Sequence, residues 1–589
     1  MTSPAPMFGV EVSLTGRRWI GPAPEVERMG LAIAQQARVP EIVGRLLAAR
    51  GVLPEEAADF LQPTLRGLMP DPAIMADMEK AAARLAQAVT AQERIAIFGD
   101  YDVDGGASTA ILIDWLRQLG VRATPYIPDR IDEGYGPNVS AMTQLAGGHD
   151  LILCVDCGTL SHEPIAAAQG ADVVIADHHL ASETLPEAFA VVNPNRRDDH
   201  SDLGHLCAAG VVFMLLVATN RVLRSQGHFT DRAEPDLRAM LDLVALATVA
   251  DVAPLVGLNR AFVRQGLTVL AQRGRPGLAA LADQAGLSAP PHSTDLGFAL
   301  GPRINAGGRV GSADLGMRLL ATADPHEARA LADRLDDLNR TRREIEAQVL
   351  AAAIDQVETR DPMAPIVWAA DEGWHPGVVG IVASRLKDRF HRPAVVIGVA
   401  DGEGKGSGRS IPGIDLGRAV SALTEEGLLL KGGGHVMAAG LTVAPDKIVS
   451  AMEALAEKIA GQGVDLAGPE DLSLDGALMP GAATSDLVEK LEAAGPFGPA
   501  NPAPRIAFGH VQIAHFRIVG KGHAQLRLKA GQGRALDAIA FRAEETGLAP
   551  AFASAFETGG AMHLAGILEI DDWGGRRRAK LRVEDAATA

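Results

Sequence analysis

The chain has 589 residues, too many for one hydrophobic core, so we expect several domains. Its content of 47% hydrophobic and 22% charged residues indicates a globular protein. The sequence has no uncharged apolar run of about 18 residues, so we predict no membrane span. The net charge of −18 excludes a uniformly basic nucleic-acid binder, so nucleic-acid binding would have to depend on local charge. Three cysteines argue against a disulfide scaffold, and the N-terminus has no export-signal pattern; together they predict a cytoplasmic protein.

The predicted elements divide the chain into five regions. Residues 1–70 have helical periodicity and predict a helical N-terminal segment. Residues 71–323 alternate helices with short apolar strands, which predicts a parallel sheet covered by helices. Residues 324–361 predict a long charged helix, either an exposed surface helix or a connector. Residues 362–465 predict a second α/β domain, and residues 466–589 a small β-barrel.

A cluster of acidic residues follows the first strand of the predicted parallel sheet. Asp100, Asp102 and Asp104 come directly after the apolar run 95–98 and Gly99. Carboxylates this close repel one another and raise each other's pKa, so a cation is expected among them. Oxygen ligands of this kind suit Mg²⁺ or Mn²⁺. The alternative is a solvated acidic turn, because Asp and Gly are common turn residues.

Polar residues also follow the next strands and one helix of this region. Asp156 follows the strand 151–155, Asp177, His178 and His179 follow the strand 171–176, and Asp251 ends the helical run 241–250. Each alone is explained as a helix cap, a turn residue or a surface histidine. Ligands of parallel sheets bind beyond the carboxyl ends of the strands, so the four groups together predict a two-metal site that acts on a phosphodiester.

The C-terminal half contains weaker signals for phosphate binding. Glycine-rich turns at 404–408 and 432–434 carry Arg409 and His435, and such turns let backbone N–H groups approach a phosphate. Residues 505–583 contain 12 Lys and Arg against 7 Asp and Glu, including the run Arg576, Arg577, Arg578, Lys580 and Arg582. Their aromatic residues are sparse (Phe508, Phe516, Phe541 and Trp573), so charge contacts would dominate binding of a single strand. A barrel that only braces the core is the alternative.

Four motifs, GDYDVDG (99–105), VDCG (155–158), ADHH (176–179) and ATVADVAPL (247–255), resemble in this order those of the DHH phosphoesterases. The resemblance extends from about residue 70 to the C-terminus, through the stretches 128–136, 301–311, 373–386, 406–416, 432–440 and 496–504. It implies an α/β fold: a parallel-sheet DHH catalytic domain joined by a long helix to a DHHA1 substrate-binding domain, followed by an OB-fold barrel.

The resemblance also implies metal ligands. Asp102 and Asp104 would bind different ions, Asp156 would bridge the two, and His178 and Asp251 would complete the second site. His179 would face the substrate phosphate, and Asp100 would have an auxiliary role. Many members of the family carry a histidine at the position of Phe98, which cannot bind a metal, so we expect one tight and one weak site.

The implied activity is a 5′→3′ exonuclease on single-stranded DNA that releases 5′-mononucleotides with two Mn²⁺ or Mg²⁺ ions, in recombination and repair. The implied partners are a RecQ-like helicase and a single-strand-binding protein, and the implied state is a monomer. The residues expected to hold the 5′ end and the nucleotide are Arg130, Arg303, Arg309, Ser407, Arg409 and His435.

Two alternatives stay open. A DHH phosphoesterase of short oligonucleotides, cyclic dinucleotides or pyrophosphate would need neither the long helix nor the barrel. A non-catalytic DNA-binding scaffold would not need all five ligand positions to carry side chains that bind metals.

Overall fold

A computed structural model describes residues 5–130, 132–287, 290–463, 470–531, 533–572 and 577–589. The predicted boundary between residues 465 and 466 lies outside the described residues, as do Trp573 and Arg576. The chain forms two compact units. The first comprises Met1–Pro70, Val252–Gln265 and Pro469–Ala589, and the second comprises Asp71–Asp251 and Gly266–Gly468.

The N-terminal segment is mostly helical, but it also contains a strand that the sequence analysis missed. Its elements are β1 (Arg17–Ile20), α1 (Pro24–Ala37), α2 (Glu41–Ala49), α3 (Ala57–Leu61) and α4 (Leu65–Leu68). Strand β1 pairs in parallel with Glu470–Ser473. Trp19 of β1 is fully buried, and its indole Nε1 donates a hydrogen bond to Asp585 at 2.8 Å. Strand β1 has only four residues and one buried side chain, so its sequence has no detectable alternation of buried and exposed residues.

The first α/β domain contains the predicted parallel sheet. Its strands lie side by side in the order β3, β2, β4, β5, β6, and every pairing is parallel. The elements are α5 (Met78–Ala91), β2 (Ile95–Gly99), α6 (Val103–Gln118), β3 (Ala123–Tyr126), α7 (Val139–Ala146), β4 (Leu151–Val155), α8 (His162–Ala166), β5 (Asp172–Ala176) and β6 (Ala190–Val192).

A helical layer follows the sheet. Its elements are α9 (Ala208–Ser225), α10 (Leu241–Ala250), α11 (Gly257–Ala271), α12 (Pro276–Gln284), α13 (Ser293–Asp295), a π-helical turn at Leu296–Leu300, α14 (Gly301–Val310) and α15 (Leu315–Ala321). Helix α9 is long and apolar enough to cross a membrane by length and composition, but 72% of it is buried, as in a core helix.

A 36-residue helix, α16 (Pro325–Arg360), joins the sheet domain to the second α/β domain and is about 54 Å long at 1.5 Å per residue. That domain has a mixed sheet in the order β10, β11, β9, β8, β7, in which only β7 and β8 are parallel. Its elements are β7 (Val367–Glu372), α17 (Pro376–Phe390), β8 (Ala394–Ala400), β9 (Glu403–Arg409), α18 (Leu416–Glu425), β10 (Lys431–His435), β11 (Ala438–Val443) and α19 (Ile448–Ala460).

The C-terminal region is a closed five-stranded barrel, in agreement with the predicted OB-fold. Strands β14, β15, β16, β18 and β17 are neighbours in that order, and β17 pairs with β14 to close the ring. The elements are β12 (Glu470–Ser473), β13 (Gly476–Ala477), α20 (Ser485–Glu492), β14 (Arg505–Val519), β15 (His523–Lys529), β16 (Leu536–Ala540), α21 (Leu548–Thr558), β17 (Ala561–Asp571) and β18 (Arg578–Thr588).

Candidate active site

The turn after β2 forms the first wall of the site. Asp102 is the N-cap of α6, and its Oδ1 accepts hydrogen bonds from the backbone N–H groups of Asp104 at 2.8 Å and Gly105 at 3.1 Å. One carboxylate oxygen thus fixes the helix end and the other is left for a ligand. A Cβ at position 105 would lie 2.4 Å from the carbonyl oxygen of Asp100, so only glycine fits this turn.

Asp104 is fully enclosed and held by the backbone of another helix. Its two carboxylate oxygens accept hydrogen bonds from the N–H groups of Ala208 at 2.7 Å and Ala209 at 2.8 Å, the first residues of α9. A helix N-terminus has free N–H groups and a partial positive charge, and it therefore holds an anionic side chain in place. Asp104 consequently has a fixed position at the base of the site.

Asp156, His178 and Asp251 meet at the same sheet edge. The His178 Nε2 atom lies 3.3 Å from an Asp156 oxygen and 3.8 Å from an oxygen each of Asp104 and Asp251. Asp156 adopts a left-handed backbone with φ of 61°, an uncommon conformation for a non-glycine residue. Such conformations occur at functional sites where the surrounding structure imposes them.

Ligand atoms in this region fall into three overlapping groups, within each of which they lie within 4.8 Å of one another. The groups are Asp100, Asp102 and Asp156; Asp104, His178 and Asp251; and Asp156, His178 and His179. The structure therefore brings together all seven residues predicted as catalytic or metal-binding. Two buried ligand atoms, Asp100 Oδ1 and His178 Nε2, make no hydrogen bond within the described part of the chain, and buried polar atoms left in this state are costly.

The electrostatics of the carboxylates also require a counter-charge. Burial, together with the charge of Asp102, raises the pKa of Asp100 to about 8. Burial likewise raises the pKa of Asp251 to about 8, with Asp104 and Asp102 as additional causes. The pKa of Asp156 is raised by burial and then by four neighbouring aspartates. Divalent cations would remove this repulsion, so the donor set fits Mn²⁺ or Mg²⁺.

Phe98 lies in the core and not in the site. Its side chain is fully buried and stacks on Tyr126, with ring centroids 5.2 Å apart. Asp100, two residues later, supplies a carboxylate beside Asp102 and Asp156.

Sequence reasoning missed a second layer of polar contacts around His179. The buried Asp177 accepts hydrogen bonds from His179 Nδ1 at 2.8 Å and from the backbone N–H groups of His178 and Thr159. Burial alone would lower the pKa of His179, but the hydrogen bond and charge of Asp177 outweigh it and raise the pKa to about 9. The ADHH motif contained Asp177, but only the fold shows which histidine it contacts.

Three of the predicted substrate-binding arginines converge on the same side of this unit. Burial lowers the pKa of Arg309 to about 10, with Arg130 the next cause, and burial and Arg130 also lower the pKa of Arg409. The pKa of His375, the N-cap of α17, is also lowered by burial and by the charge of Arg130. Cations that repel one another in this way favour an anion among them, and we refer to the three arginines as the pocket. His375 was not predicted, because its motif (GWHPGVVG) was not assigned a role.

The other predicted substrate residues have different surroundings. Ser407 Oγ accepts a hydrogen bond from Arg409 Nη1 at 2.9 Å and so supports the pocket. Arg303 instead forms an ion pair with Asp336 at 2.8 Å and donates to the carbonyl of Ala299 at 2.7 Å. His435 is exposed at the end of β10, and among the described residues no hydrogen bond joins it to the arginines.

The barrel has a basic groove of about 660 Å³ of its own. The groove is lined by His515, Arg517, Arg527, Lys529 and Lys580, with Asp537 and Asp571 as the acidic members. Of the predicted aromatic residues, Phe508 is fully buried and Phe541 is half-exposed beside His523. Stacking platforms are therefore few, as expected, and charge predominates.

Family models match three parts of the chain: the N-terminal domain of the DHH family at residues 94–248, the DHHA1 domain at 346–461, and the RecJ OB domain at 474–585. The fold and the carboxylate-rich sheet edge thus define the chain as a protein of the DHH family, and the resemblance seen in the sequence is confirmed.

Full-length relatives narrow the family further. The single-stranded-DNA-specific exonuclease RecJ of Dickeya dadantii is 40% identical over 93% of this chain and 96% of its own length. The RecJ of Escherichia coli is 38% identical over the same shares. A crystal structure of RecJ from Thermus thermophilus in complex with Mn²⁺ has a TM-score of 0.80 at 30% identity and covers 97% of this chain and 79% of that one; a second holds Mg²⁺. The chain belongs to the RecJ family.

Proposed function

We propose that the protein is a metal-dependent exonuclease that degrades single-stranded DNA from the 5′ end and releases 5′-mononucleotides. One observation carries this proposal: five aspartates and His178 gather at one sheet edge, in the same compact unit as three arginines to which, among the residues that the structure describes, no carboxylate is hydrogen-bonded. The first feature suits divalent ions and the second suits a phosphate. The relatives named above act on single-stranded DNA, which supports this choice of substrate.

In this proposal, one set of ligands is Asp104, His178 and Asp251, and the other is Asp100 and Asp102, with Asp156 between the two. Bound Mn²⁺ or Mg²⁺ would supply Lewis acidity and an activated water for in-line hydrolysis of the phosphodiester. Asp100 adds a third carboxylate to the set that contains Asp102 and Asp156. The difference in metal affinity between the two sites, which we expected from Phe98, therefore becomes smaller.

The protein's own groups then have distinct tasks. Asp177 keeps His179 protonated, so that the imidazolium can donate a hydrogen bond to a phosphate oxygen. Arg130, Arg309 and Arg409 bind the 5′-terminal phosphate, which fixes the direction of degradation. The barrel groove binds the backbone of the strand through Arg517, Arg527 and Lys529. The helicase and single-strand-binding partners, the repair role and the monomeric state stay predictions.

A panel of substrates tests the proposal. With Mn²⁺, a long single strand labelled at its 5′ end should release the label as a mononucleotide, and the same strand labelled at its 3′ end should keep the label on long products. The matching blunt duplex and a dinucleotide should be cut far more slowly, and chelation should stop all cleavage. Early release of the 3′ label would show that degradation starts at the 3′ end. Preference for the dinucleotide would favour the small-substrate phosphoesterase.

A further inference from the structure

The hydroxyl of Tyr135 joins two parts of the site that the proposed chemistry uses separately. Its oxygen lies 3.0 Å from the backbone carbonyl of Asp156 and 3.1 and 3.2 Å from the two ring nitrogens of His179. The rings of Tyr135 and His179 meet edge to face, with centroids 5.5 Å apart. Tyr135 belongs to the stretch 128–136, of which only Arg130 was given a role by the sequence.

The hydrogen-bond directions follow from the partners. The carbonyl of Asp156 can only accept, so the Tyr135 hydroxyl donates to it. The Nδ1–H group of His179 is committed to Asp177 at 2.8 Å. The Tyr135 oxygen is nearly equidistant from the two ring nitrogens of His179, so it lies against the ring and on the axis of neither N–H bond. The ring of His179 is thus held by Asp177 at Nδ1 and by contact with the Tyr135 hydroxyl.

The loop that carries Tyr135 is itself braced. Glu133 accepts hydrogen bonds from the Tyr126 hydroxyl at 2.6 Å, from the backbone N–H of Asp129 at 2.9 Å and from the Asn138 side chain at 3.0 Å. A group on a braced loop sets the orientation of its partner more closely than a group on a free loop. The same loop carries Arg130.

We propose that Tyr135, anchored by its hydrogen bond to the backbone carbonyl of Asp156, is a positioning residue for the reaction that aims the His179 ring. The proposal rests on the proposed nuclease function and deepens it. Tyr135 does not have to touch the DNA, because it acts through His179.

The test is a double-mutant cycle in the full-length protein with Mn²⁺ and single-stranded DNA. Tyr135→Phe should lower kcat by about 10-fold, because a group misplaced by a fraction of an ångström slows the chemical step, while KM for DNA stays within about twofold. In the His179→Ala background the same change should have almost no further effect, since the residue through which Tyr135 acts is gone. Tyr126→Phe is the matched control: it removes a hydroxyl that braces the same loop without touching His179, and kcat should stay within about twofold.

The outcomes separate the two claims. If the unsubstituted protein does not degrade DNA, the proposed function fails. If the unsubstituted protein is active and Tyr135→Phe has the same kcat, the positioning role is wrong. It is also wrong if the effects of Tyr135→Phe and His179→Ala on kcat multiply independently. A second measurement does not depend on activity. In protein labelled with ¹⁵N-histidine, Tyr135→Phe should shift the His179 Nε2 resonance and Tyr126→Phe should not; an unmoved resonance would also overturn the inference.

Discussion

Asp156→Asn is expected to lower kcat on single-stranded DNA in the presence of Mn²⁺ by about 1,000-fold or more. The change keeps the shape of the side chain but removes the carboxylate that lies between the two sets of ligands, 3.3 Å from His178 and grouped with Asp100 and Asp102. Loss of bridging charge at a two-metal site removes several kcal/mol of transition-state stabilisation, and about 4 kcal/mol corresponds to that factor. Single-turnover kinetics measure this loss of rate.

Binding of DNA should survive this substitution, because the phosphate pocket is made of arginines. By fluorescence anisotropy, Kd for the strand should stay within about threefold. Asp172→Asn is the matched control: Asp172 begins β5 at the opposite edge of the same sheet and pairs with Arg84 at 2.6 Å. Its activity should equal that of the unsubstituted protein. A fully active Asp156→Asn variant would refute the metal assignment, whereas an inactive variant that still binds DNA would exclude the scaffold alternative.

Arg130→Ala is expected to lower kcat/KM for a strand with a 5′-phosphate by about 100-fold, and for a strand with a 5′-hydroxyl by about threefold at most. A charge-assisted hydrogen bond to a phosphate contributes roughly 1.5–3 kcal/mol, and the upper end corresponds to about 100-fold. The substitution should not lower Tm, because the positive charge of Arg130 opposes the charges of Arg309 and Arg409. Loss of function with unchanged or raised stability is typical of a binding residue.

Arg303→Ala should give the opposite pattern. Arg303 is paired with Asp336 and partly buried, so its loss should lower the free energy of unfolding by about 2–3 kcal/mol. The preference for a 5′-phosphate should not change. If Arg303→Ala abolished that preference while Arg130→Ala kept it, the pocket would be assigned to the wrong residues.

The sequence predicted which candidate ligands meet at the sheet edge because of one simple rule. Asp102, Asp156 and His178 follow strands β2, β4 and β5, and parallel strands bring their carboxyl ends to one edge. Asp251 lies with them although it follows a helix and not a strand. Its motif indicated this position, but helical periodicity alone did not.

The contacts between side chains could not be read in the same way. The link from Tyr135 to His179 and the pairing of Arg303 with Asp336 depend on the paths of loops and helices, which no local pattern contains. Strand β1 was missed for a related reason, since its partner strand lies near the other end of the chain. The sequence showed that Phe98 cannot bind a metal, but only the fold shows Asp100 beside Asp102 and Asp156.

The central claim is a two-metal centre at the carboxyl edge of the parallel sheet, and anomalous diffraction tests it most directly. Crystals grown with Mn²⁺ and measured at the manganese edge should show two peaks about 3.5–4 Å apart. One peak should lie among Asp104, His178 and Asp251, the other beside Asp100 and Asp102, and both should be within reach of Asp156. A map at saturating Mn²⁺ with no peak at this edge, or with one peak only, would contradict the account.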